Sequence, residues 1–356
     1  MRILYHIYFC TSIIEKRKIP NYTMVKRFRT GELGNMEKRF DVTALGELLI
    51  DFTENGISGQ GNPMLEANPG GAPCNVLAML QKLGKKTSFI GKVGNDQFGR
   101  MLKETIEQVG IDSGNLIMDE DVHTTLAFVH TMPDGDRDFS FYRNPGADMM
   151  LTVADVQKER IEASKVFHFG TLSSTHEGCK EATRYAIQCA KEAGILISFD
   201  PNLREPLWNN LEDAKREIAY GLGQADIVKI SDNEVVFMTG EEDYEKAAQI
   251  LKEQYQIPLL FVTLGRDGSR VYYKDIRVEA AGFIQENTIE TTGAGDTFTG
   301  YVLSKILELG GMENLTEEQL AEMLTFANAG ASMITTRRGA LKVMPEKEEI
   351  LNLMNK

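Results

Sequence analysis

The residues best suited to chemistry lie at 290–300, where the chain reads Glu-Thr-Thr-Gly-Ala-Gly-Asp-Thr-Phe-Thr-Gly. Gly293, Ala294 and Gly295 leave the backbone open, and the carboxylate of Asp296 follows at once. Apolar residues spaced by three or four then predict an amphipathic helix: Phe298, Val302, Ile306 and Leu309. The unpaired N–H groups of a helix N-terminus carry about half a positive charge and bind anions. An anion site beside a base suits phosphoryl transfer to a hydroxyl. A glycine turn with Asp296 as the N-cap is the alternative.

A second glycine-rich segment offers groups that could hold a ligand. Gly70 and Gly71 let the backbone approach a ligand closely, and Asn75, at the start of a helix predicted to reach Leu83, offers a donor and an acceptor. A simple helix-entry turn is the alternative. Asp51 comes at the carboxyl end of the first predicted strand, where it could bind hydroxyl groups or serve as a turn or cap residue.

Three further segments carry polar groups next to predicted strands. Ser231-Asp-Asn-Glu234 follows a strand and could hold a metal–phosphate complex, or form a capping box between Ser231 and Glu234. Residues 263–268, Thr-Leu-Gly-Arg-Asp-Gly, read as a strand followed by a glycine turn. Arg143 closes a predicted hairpin and could reach a substrate from there, although an exposed arginine on the surface is the alternative.

These residues need a scaffold, and the chain alternates apolar strand-like runs with helical patterns. Such alternation predicts βαβ units around a mostly parallel sheet, with ligands bound beyond the carboxyl ends of the strands. The strand candidates are residues 40–52, 87–93, 165–169, 195–199, 227–230 and 259–264.

Two segments interrupt that alternation. Residues 51–69 are polar and glycine-rich, and residues 124–142 predict a hairpin whose turn is Pro133-Asp-Gly135. Extra strands of this kind predict a small sheet that stands off the core. We expect it to act as a lid, or as an edge ribbon with a dimer role, and the two roles are compatible.

Bulk composition narrows the function class. The 356 residues carry a formal charge of −13, which argues against nucleic acid or an anionic membrane as a partner. The four cysteines show no C-x-x-C spacing, which indicates reduced thiols and a cytoplasmic location. The sequence contains no H-E-x-x-H pair, so it gives no sign of a zinc site. It also lacks two common nucleotide-binding motifs, the Walker A loop and a complete G-x-G-x-x-G. ATP would therefore bind by another geometry.

The first 35 residues differ from the rest. A short apolar run precedes a basic stretch, the reverse of the order in a signal peptide. We expect residues 1–35 to be a disordered or non-native extension and Met36 to be the natural start.

Residues 40–350 resemble the ribokinase-like carbohydrate kinases of the PfkB family. The resemblance rests on two long signatures. The first runs from Gly70-Gly-Ala-Pro-Cys-Asn75 to Ile90-Gly-Lys-Val-Gly-Asn-Asp-Gln-Phe-Gly99, and the second is Thr291-Thr-Gly-Ala-Gly-Asp-Thr-Phe298. Residues 46–51 and 200–208 look most like those of fructokinases. The implied fold is a three-layer α/β/α domain over residues 36–356, with a mostly parallel central sheet and a β-sheet lid from about 51–69 and 122–145.

The resemblance also implies roles for individual residues. Asp296 matches the catalytic base, and the amides of residues 293–296 match the anion hole. Sugar-contacting positions are matched by Asp51, Gly70, Gly71 and Asn75. Nucleotide-binding positions are matched by Thr263, Gly265, Gly268 and Asn328.

Two positions depart from the family pattern. Glu234 matches the last residue of an N-x-x-E motif that organises magnesium, but Ser231 stands where Asn is usual. Glu290 stands where Asp is usual in members that bind a monovalent cation, with Thr292 as a further candidate ligand. The longer side chain of Glu290 could retune or abolish activation by potassium.

The resemblance therefore implies an ATP- and Mg²⁺-dependent sugar kinase, with fructose as the first choice of substrate and fructose 6-phosphate as its product. The alternatives are 2-keto-3-deoxygluconate, ribose or a nucleoside as substrate, or a non-catalytic sugar-binding relative with a regulatory role. The expected partners are the sugar and ATP, without nucleic acid or membrane, and the lid could form a homodimer.

Overall fold

The structure is a computed structural model, and it describes residues 38–131 and 137–355. The predicted extension at residues 1–35, the predicted start at Met36 and the predicted turn at Pro133–Gly135 lie outside the described residues.

The described residues form thirteen β-strands. In chain order these are β1 Phe40–Leu45, β2 Leu49–Ile57, β3 Pro63–Gly70, β4 Thr87–Gly94, β5 Asp112–Asp119, β6 Leu126–Thr131, β7 Arg137–Tyr142, β8 Ser164–Phe169, β9 Leu196–Phe199, β10 Ile227–Ser231, β11 Leu259–Thr263, β12 Ser269–Tyr273 and β13 Ile276–Ala280. Nine of them form one sheet in the order β13-β12-β11-β10-β9-β8-β1-β4-β5. This sheet is parallel from β5 to β11, and only β12 and β13 run antiparallel.

The same residues contain ten α-helices: α1 Ala72–Lys82, α2 Gln97–Val109, α3 Lys158–Glu162, α4 Glu177–Glu192, α5 Leu211–Leu222, α6 Asp232–Thr239, α7 Tyr244–Tyr255, α8 Ala294–Glu308, α9 Glu317–Ile334 and α10 Lys347–Met354. Among the described helices, none combines the length and the apolar character needed to cross a membrane.

Two apolar clusters cover the two faces of the large sheet. On one face, Phe261 and Phe298 pack in a core that includes buried residues of α1, α2, α8 and α9. On the other face, Phe167 and Phe199 pack with buried residues of α4, α5 and α7. Strands buried on both sides read as continuous apolar runs, which is why the sequence predicts them well. The predicted three-layer α/β/α fold is confirmed.

A second, smaller sheet has the order β3-β2-β6-β7. Strand β2 pairs antiparallel with β3 and parallel with β6, and β6 pairs antiparallel with β7. Phe52 and Phe128 are register partners, and their rings stack with centroids 5.0 Å apart. Because successive residues of a strand face opposite sides, Asp51 lies on the other face.

The first strand differs from its prediction. The apolar run at residues 40–52 is two strands in two different sheets, joined by a turn at residues 46–48. Within this turn, Oε1 of Glu47 accepts the N–H of Ala72 at 2.9 Å. Gly46 and Glu47 interrupt the apolar run at this turn, but one glycine and one acid do not by themselves show that the chain passes into a second sheet. Asp51 is therefore not at the carboxyl end of a core strand but inside β2, opposite Asn68 and Ala127.

Candidate active site

The carboxyl edge of the large sheet brings the polar residues together. The strand order reverses direction at the boundary between β1 and β8, and a crevice opens at such a switch point. The residues at or just beyond the ends of five parallel strands are Glu47, Gly170, Asp200, Ser231 and Thr263. A buried pocket at this edge is lined by Glu47, Asp200 and Asp296, among others, and its volume of about 10 Å³ suits one water molecule.

Asp296 lies in the first turn of α8. The N-cap of this helix is Gly293, which has a left-handed φ of 78°, and no side chain caps the helix. Asp296 is 8% exposed, and its Oδ2 accepts a hydrogen bond from Nδ2 of Asn75 at 2.8 Å. The alternative in which Asp296 caps the helix is therefore wrong. Its carboxylate points across to α1 instead.

One polar atom of the Asn75 side chain makes no hydrogen bond within the described residues. This side chain is 3% exposed, and its Oδ1 is buried without a hydrogen-bond partner among the described residues. A buried acceptor without a partner is costly, and Oδ1 of Asn75 is therefore available to accept a hydrogen bond from a ligand donor such as a hydroxyl.

The two glycines before α1 allow this approach. Gly71 has a φ of 123°, and a side chain there would strike the carbonyl oxygen of Glu47. A side chain at Gly70 would strike the carboxylate of Asp51. The structure thus places Asp51, Gly70 and Gly71 together at the entrance to α1, as the hydroxyl-binding hypothesis requires.

The electrostatic environment makes Asp296 a stronger base than an exposed carboxylate. Burial raises its pKa, while the hydrogen bond from Asn75 and the positive charges of Lys229 and Arg204 oppose that rise. Glu47, on the other side of the pocket, has a pKa raised to about 7 by burial.

A buried ion pair, absent from the sequence prediction, lies beneath the glycine loop. Nζ of Lys229 in β10 is 3.2 Å from Oδ2 of Asp200, which follows β9. The same Nζ lies 2.9 Å from the position that a Cβ would take at Gly295. The sequence does contain a sign of this pair, namely the charged Lys229 within the mostly apolar strand Ile227–Ser231. Because lysine is rarely buried unless it is paired, a lysine at this position indicates a buried acidic partner.

Glu234 holds a loop in place. Its Oε2 accepts the N–H of Ser231 at 2.9 Å and the hydroxyl of Ser231 at 2.8 Å, so the capping box is present. Its Oε1 accepts the N–H of Leu203 at 2.7 Å, which ties residues 200–204 to α6. That loop carries Arg204, whose charge acts on Asp296. A magnesium role for Glu234 stays a prediction.

Arg143 is buried, so the surface alternative is wrong. Its guanidinium forms an ion pair with Asp148 at 2.7 Å, and it donates to Oγ1 of Thr175 at 2.7 Å and to the carbonyl of Leu172 at 3.1 Å. Because Arg143 directly follows β7, these contacts anchor the small sheet to the core. A sugar contact by Arg143 stays a prediction.

The predicted nucleotide residues gather beside β10. Thr263 in β11 is the register partner of Ser231, and Gly265 and Gly268 follow it with φ values of 55° and 104°. Asn328 of α9 lies nearby, next to Ser269.

The side chain of Asn328 makes three hydrogen bonds within the protein. Its Oδ1 accepts the hydroxyl of Ser269 at 2.8 Å, and its Nδ2 donates to the carbonyls of Ala280 and Ala281, each at 3.1 Å. Asn328 therefore fixes the shape of this end of the sheet, and its contact with a nucleotide stays a prediction.

The candidate cation ligands lie in the loop before α8. Oε1 of Glu290 accepts the N–H of Gly339 at 2.8 Å, and the N–H groups of Ile289 and Glu290 donate to the carbonyl of Thr335 at 2.7 and 3.1 Å. Thr292 lies in the same loop. Over the ranges that the structure describes, no group of three or more His, Cys, Asp or Glu residues is arranged to hold a metal ion.

The chain is similar to known carbohydrate kinases over most of its length. Residues 39–347 match the model of the pfkB family carbohydrate kinases. Fructokinase-1 of Zea mays is 41% identical over 318 residues, which are 88% of this chain and 98% of that protein.

Solved structures of two fructokinases are similar to the chain as well. The ATP-bound fructokinase from Xylella fastidiosa superposes with a TM-score of 0.80 at 30% identity, covering 89% of this chain and 98% of its own. A Vibrio cholerae fructokinase structure with fructose, ADP and calcium ion has a TM-score of 0.80 at 29% identity, covering 89% and 100%. The chain belongs to the pfkB family of carbohydrate kinases.

Proposed function

We propose that this carbohydrate kinase transfers the γ-phosphoryl group of Mg·ATP to fructose and forms fructose 6-phosphate. The observation that carries the proposal is the buried hydrogen bond between Asn75 and Asp296 at the N-terminus of α8, with Oδ1 of Asn75 left for a hydroxyl. Fructose is supported by the maize, Xylella and Vibrio relatives, each of which is named a fructokinase.

In this mechanism Asp296 is the general base. The sugar hydroxyl donates to Asp296, and its oxygen attacks the γ-phosphorus as the bond to the β-phosphate oxygen breaks. Because a carboxylate is a weak base toward an alcohol, the proton moves to Asp296 only as the new P–O bond forms. The N–H groups of residues 293–296 stabilise the charge on the transferring group, since catalysis of this type depends on positioning and electrostatics.

The remaining site residues bind the two substrates. Asp51, Gly70, Gly71 and Asn75 hold the sugar, and Arg143 anchors the strands that cover it. Mg·ATP approaches from β10 and β11, where Thr263, Gly265, Gly268 and Asn328 form the nucleotide site. Both carboxylate oxygens of Glu234 already accept hydrogen bonds, so we propose that it reaches the magnesium ion through bound water.

We further propose that the small sheet closes over the sugar and forms a homodimer. A closed lid keeps water from the γ-phosphate and prevents wasteful hydrolysis of ATP. The dimer is supported by exposed apolar side chains beside the half-buried Phe52 and Phe128, since Tyr142 is 67% exposed and Leu65 is 45% exposed. Sedimentation velocity tests the dimer, and a monomer at micromolar concentration contradicts it.

The loop before α8 also carries Glu290 and Thr292, the two candidate ligands of a potassium ion. Oε1 of Glu290 already accepts the Gly339 N–H, so one of the two carboxylate oxygens is occupied by a contact within the protein. We therefore propose that potassium activates this enzyme only weakly.

A coupled assay of ADP release tests substrate and cation together. Fructose, ribose, 2-keto-3-deoxygluconate and adenosine are compared at matched concentrations, with and without K⁺. We expect the highest kcat/KM for fructose and a similar rate without K⁺. If another acceptor is faster, fructose is the wrong substrate, and if no acceptor releases ADP, the kinase assignment is wrong.

A further inference from the structure

Lys229 is buried at the centre of the candidate site, yet the mechanism described so far does not use it. Its side chain is 11% exposed, and its ammonium lies against the backbone of Gly295, one residue before the proposed base. An ammonium has three N–H donors. Within the described residues its hydrogen-bond partner is Asp200, so donors remain for an incoming anion.

The charges around Lys229 keep it protonated. Burial lowers its pKa, but Asp200, Glu234 and Asp296 together outweigh this effect and raise the pKa above the ordinary value for lysine. The ammonium is therefore a fixed positive charge next to three carboxylates.

Phosphoryl transfer at this site has an electrostatic difficulty. A negatively charged base, Asp296, and a negatively charged phosphoryl group must come together, and like charges repel strongly in a buried site. Backbone N–H groups supply only partial positive charge. A full positive charge next to Gly295 would offset the repulsion.

We propose that Lys229 is a catalytic residue whose ammonium, lying where a side chain at position 295 would otherwise stand, donates to the transferring γ-phosphoryl group, and that Asp200 is the positioning residue that holds this ammonium. This inference rests on the proposed kinase function. The proton stays on Lys229 throughout, and Asp296 remains the base.

The protein offers a matched control for the loss of a buried lysine. Lys92 in β4 is also buried, and its Nζ lies 2.9 Å from Asp155 and 3.6 Å from Asp119. A purely structural role for Lys229 predicts that removing either lysine has the same kind of effect, namely lost stability with activity lost only through unfolding.

The experiment compares Lys229→Met, Lys229→Arg, Asp200→Asn and Lys92→Met. Steady-state kinetics give kcat and KM, calorimetry without sugar gives the affinities for Mg·ATP and Mg·ADP, and thermal unfolding gives Tm. We expect Lys229→Met to lower kcat by about 10²–10³, as for loss of one donor to a developing oxyanion, with little change in the KM for sugar. Lys229→Arg should recover part of kcat.

The nucleotide affinities test the contact without any sugar. We expect Lys229→Met to weaken the binding of ATP more than the binding of ADP, and Asp200→Asn to do the same to a smaller degree. Lys92→Met should leave the ratio of the ATP affinity to the ADP affinity unchanged. If wild type phosphorylates no sugar, the proposed function fails, while the affinity ratio still decides the role of Lys229. Should Lys229→Met fail to fold, the ratio in Asp200→Asn decides. An unchanged ratio in the folded variants, or a kcat for Lys229→Met within tenfold of wild type, overturns the proposal.

Discussion

Replacing Asp296 by asparagine separates the proton-accepting role from the packing role of this residue. The two side chains have nearly the same shape. The introduced amide can turn its oxygen toward Nδ2 of Asn75 and so keep the 2.8 Å hydrogen bond. Its NH₂ group then faces the sugar hydroxyl, where the carboxylate had offered an acceptor. The variant therefore loses the base while keeping the fold.

The size of the effect follows from this geometry. A positioned general base contributes about 10²–10⁴ in rate, which corresponds to roughly 2.7–5.5 kcal/mol of barrier. We expect kcat for Asp296→Asn to fall by that factor, with the sugar KM changed by less than about threefold, because the binding groups at Asp51 and Asn75 remain.

Although Asp296→Asn should lower kcat, it should not lower the stability of the fold. The helix N-terminus favours the charged carboxylate by about 0.3–1 kcal/mol, but burial raises the pKa of Asp296, so burial is the larger effect. A carboxyl group with a raised pKa in the folded state destabilises that state as pH rises above the unfolded pKa. Asp296→Asn should therefore unfold at pH 7 at the same temperature as wild type or a higher one.

The assay combines ADP-release kinetics with thermal unfolding on the same preparations. Asp213→Asn, a change at a carboxylate in the first turn of another helix, α5, is the control for loss of an N-terminal charge and should leave kcat unchanged. A kcat for Asp296→Asn within tenfold of wild type refutes the base assignment. A clear fall in Tm refutes the claim that burial of the charge dominates.

Three further predictions concern Asn75, Glu47 and Arg143. Asn75→Ala removes the partner of a ligand hydroxyl and of Asp296, so the sugar KM should rise about tenfold or more and kcat should fall in the same assay; normal kinetics would exclude Asn75 from the site. The pKa of Glu47 is about 7 in the folded protein, so wild-type stability falls as pH rises from 4.5 to 7. Glu47→Gln should therefore gain stability relative to wild type over that range, on the order of 3 kcal/mol by urea unfolding at pH 8, and a constant difference across pH would contradict the burial argument. Arg143→Met leaves the buried Asp148 without its cation and should cost about 3–5 kcal/mol of unfolding free energy; a loss below 1 kcal/mol would show that this pair does not anchor the small sheet.

Much of the fold was predictable because its signals are local. Strands buried on both faces are mostly apolar runs, as at residues 227–231 and 259–263, and helix entry is marked by the glycines at 70, 71, 293 and 295. Gly293 adopts a left-handed conformation, and Ser231 forms a capping box with Glu234. Both features depend on only a few neighbouring residues. Patterns of this kind can be read from the chain directly.

Sequence reasoning failed where a residue's partner is distant in the chain. Gly46 and Glu47 interrupt the apolar run at residues 46–48, but the turn there depends on Glu47 accepting the N–H of Ala72, which lies 25 positions later in the chain. Arg143 is buried because Asp148, Thr175 and Leu172 surround it. A single sequence does not record which charges meet in space.

By itself, the sequence determined a mostly parallel α/β domain, a second small sheet and a glycine loop that leads into a helix with one acid. Only the tertiary structure decided that this acid faces Asn75, which lies 221 positions earlier in the chain, and that the buried pair of Lys229 and Asp200 lies beneath the loop. The physical reason is that backbone conformation follows from neighbouring residues, whereas the protonation and reach of a buried side chain follow from charges that only folding brings close.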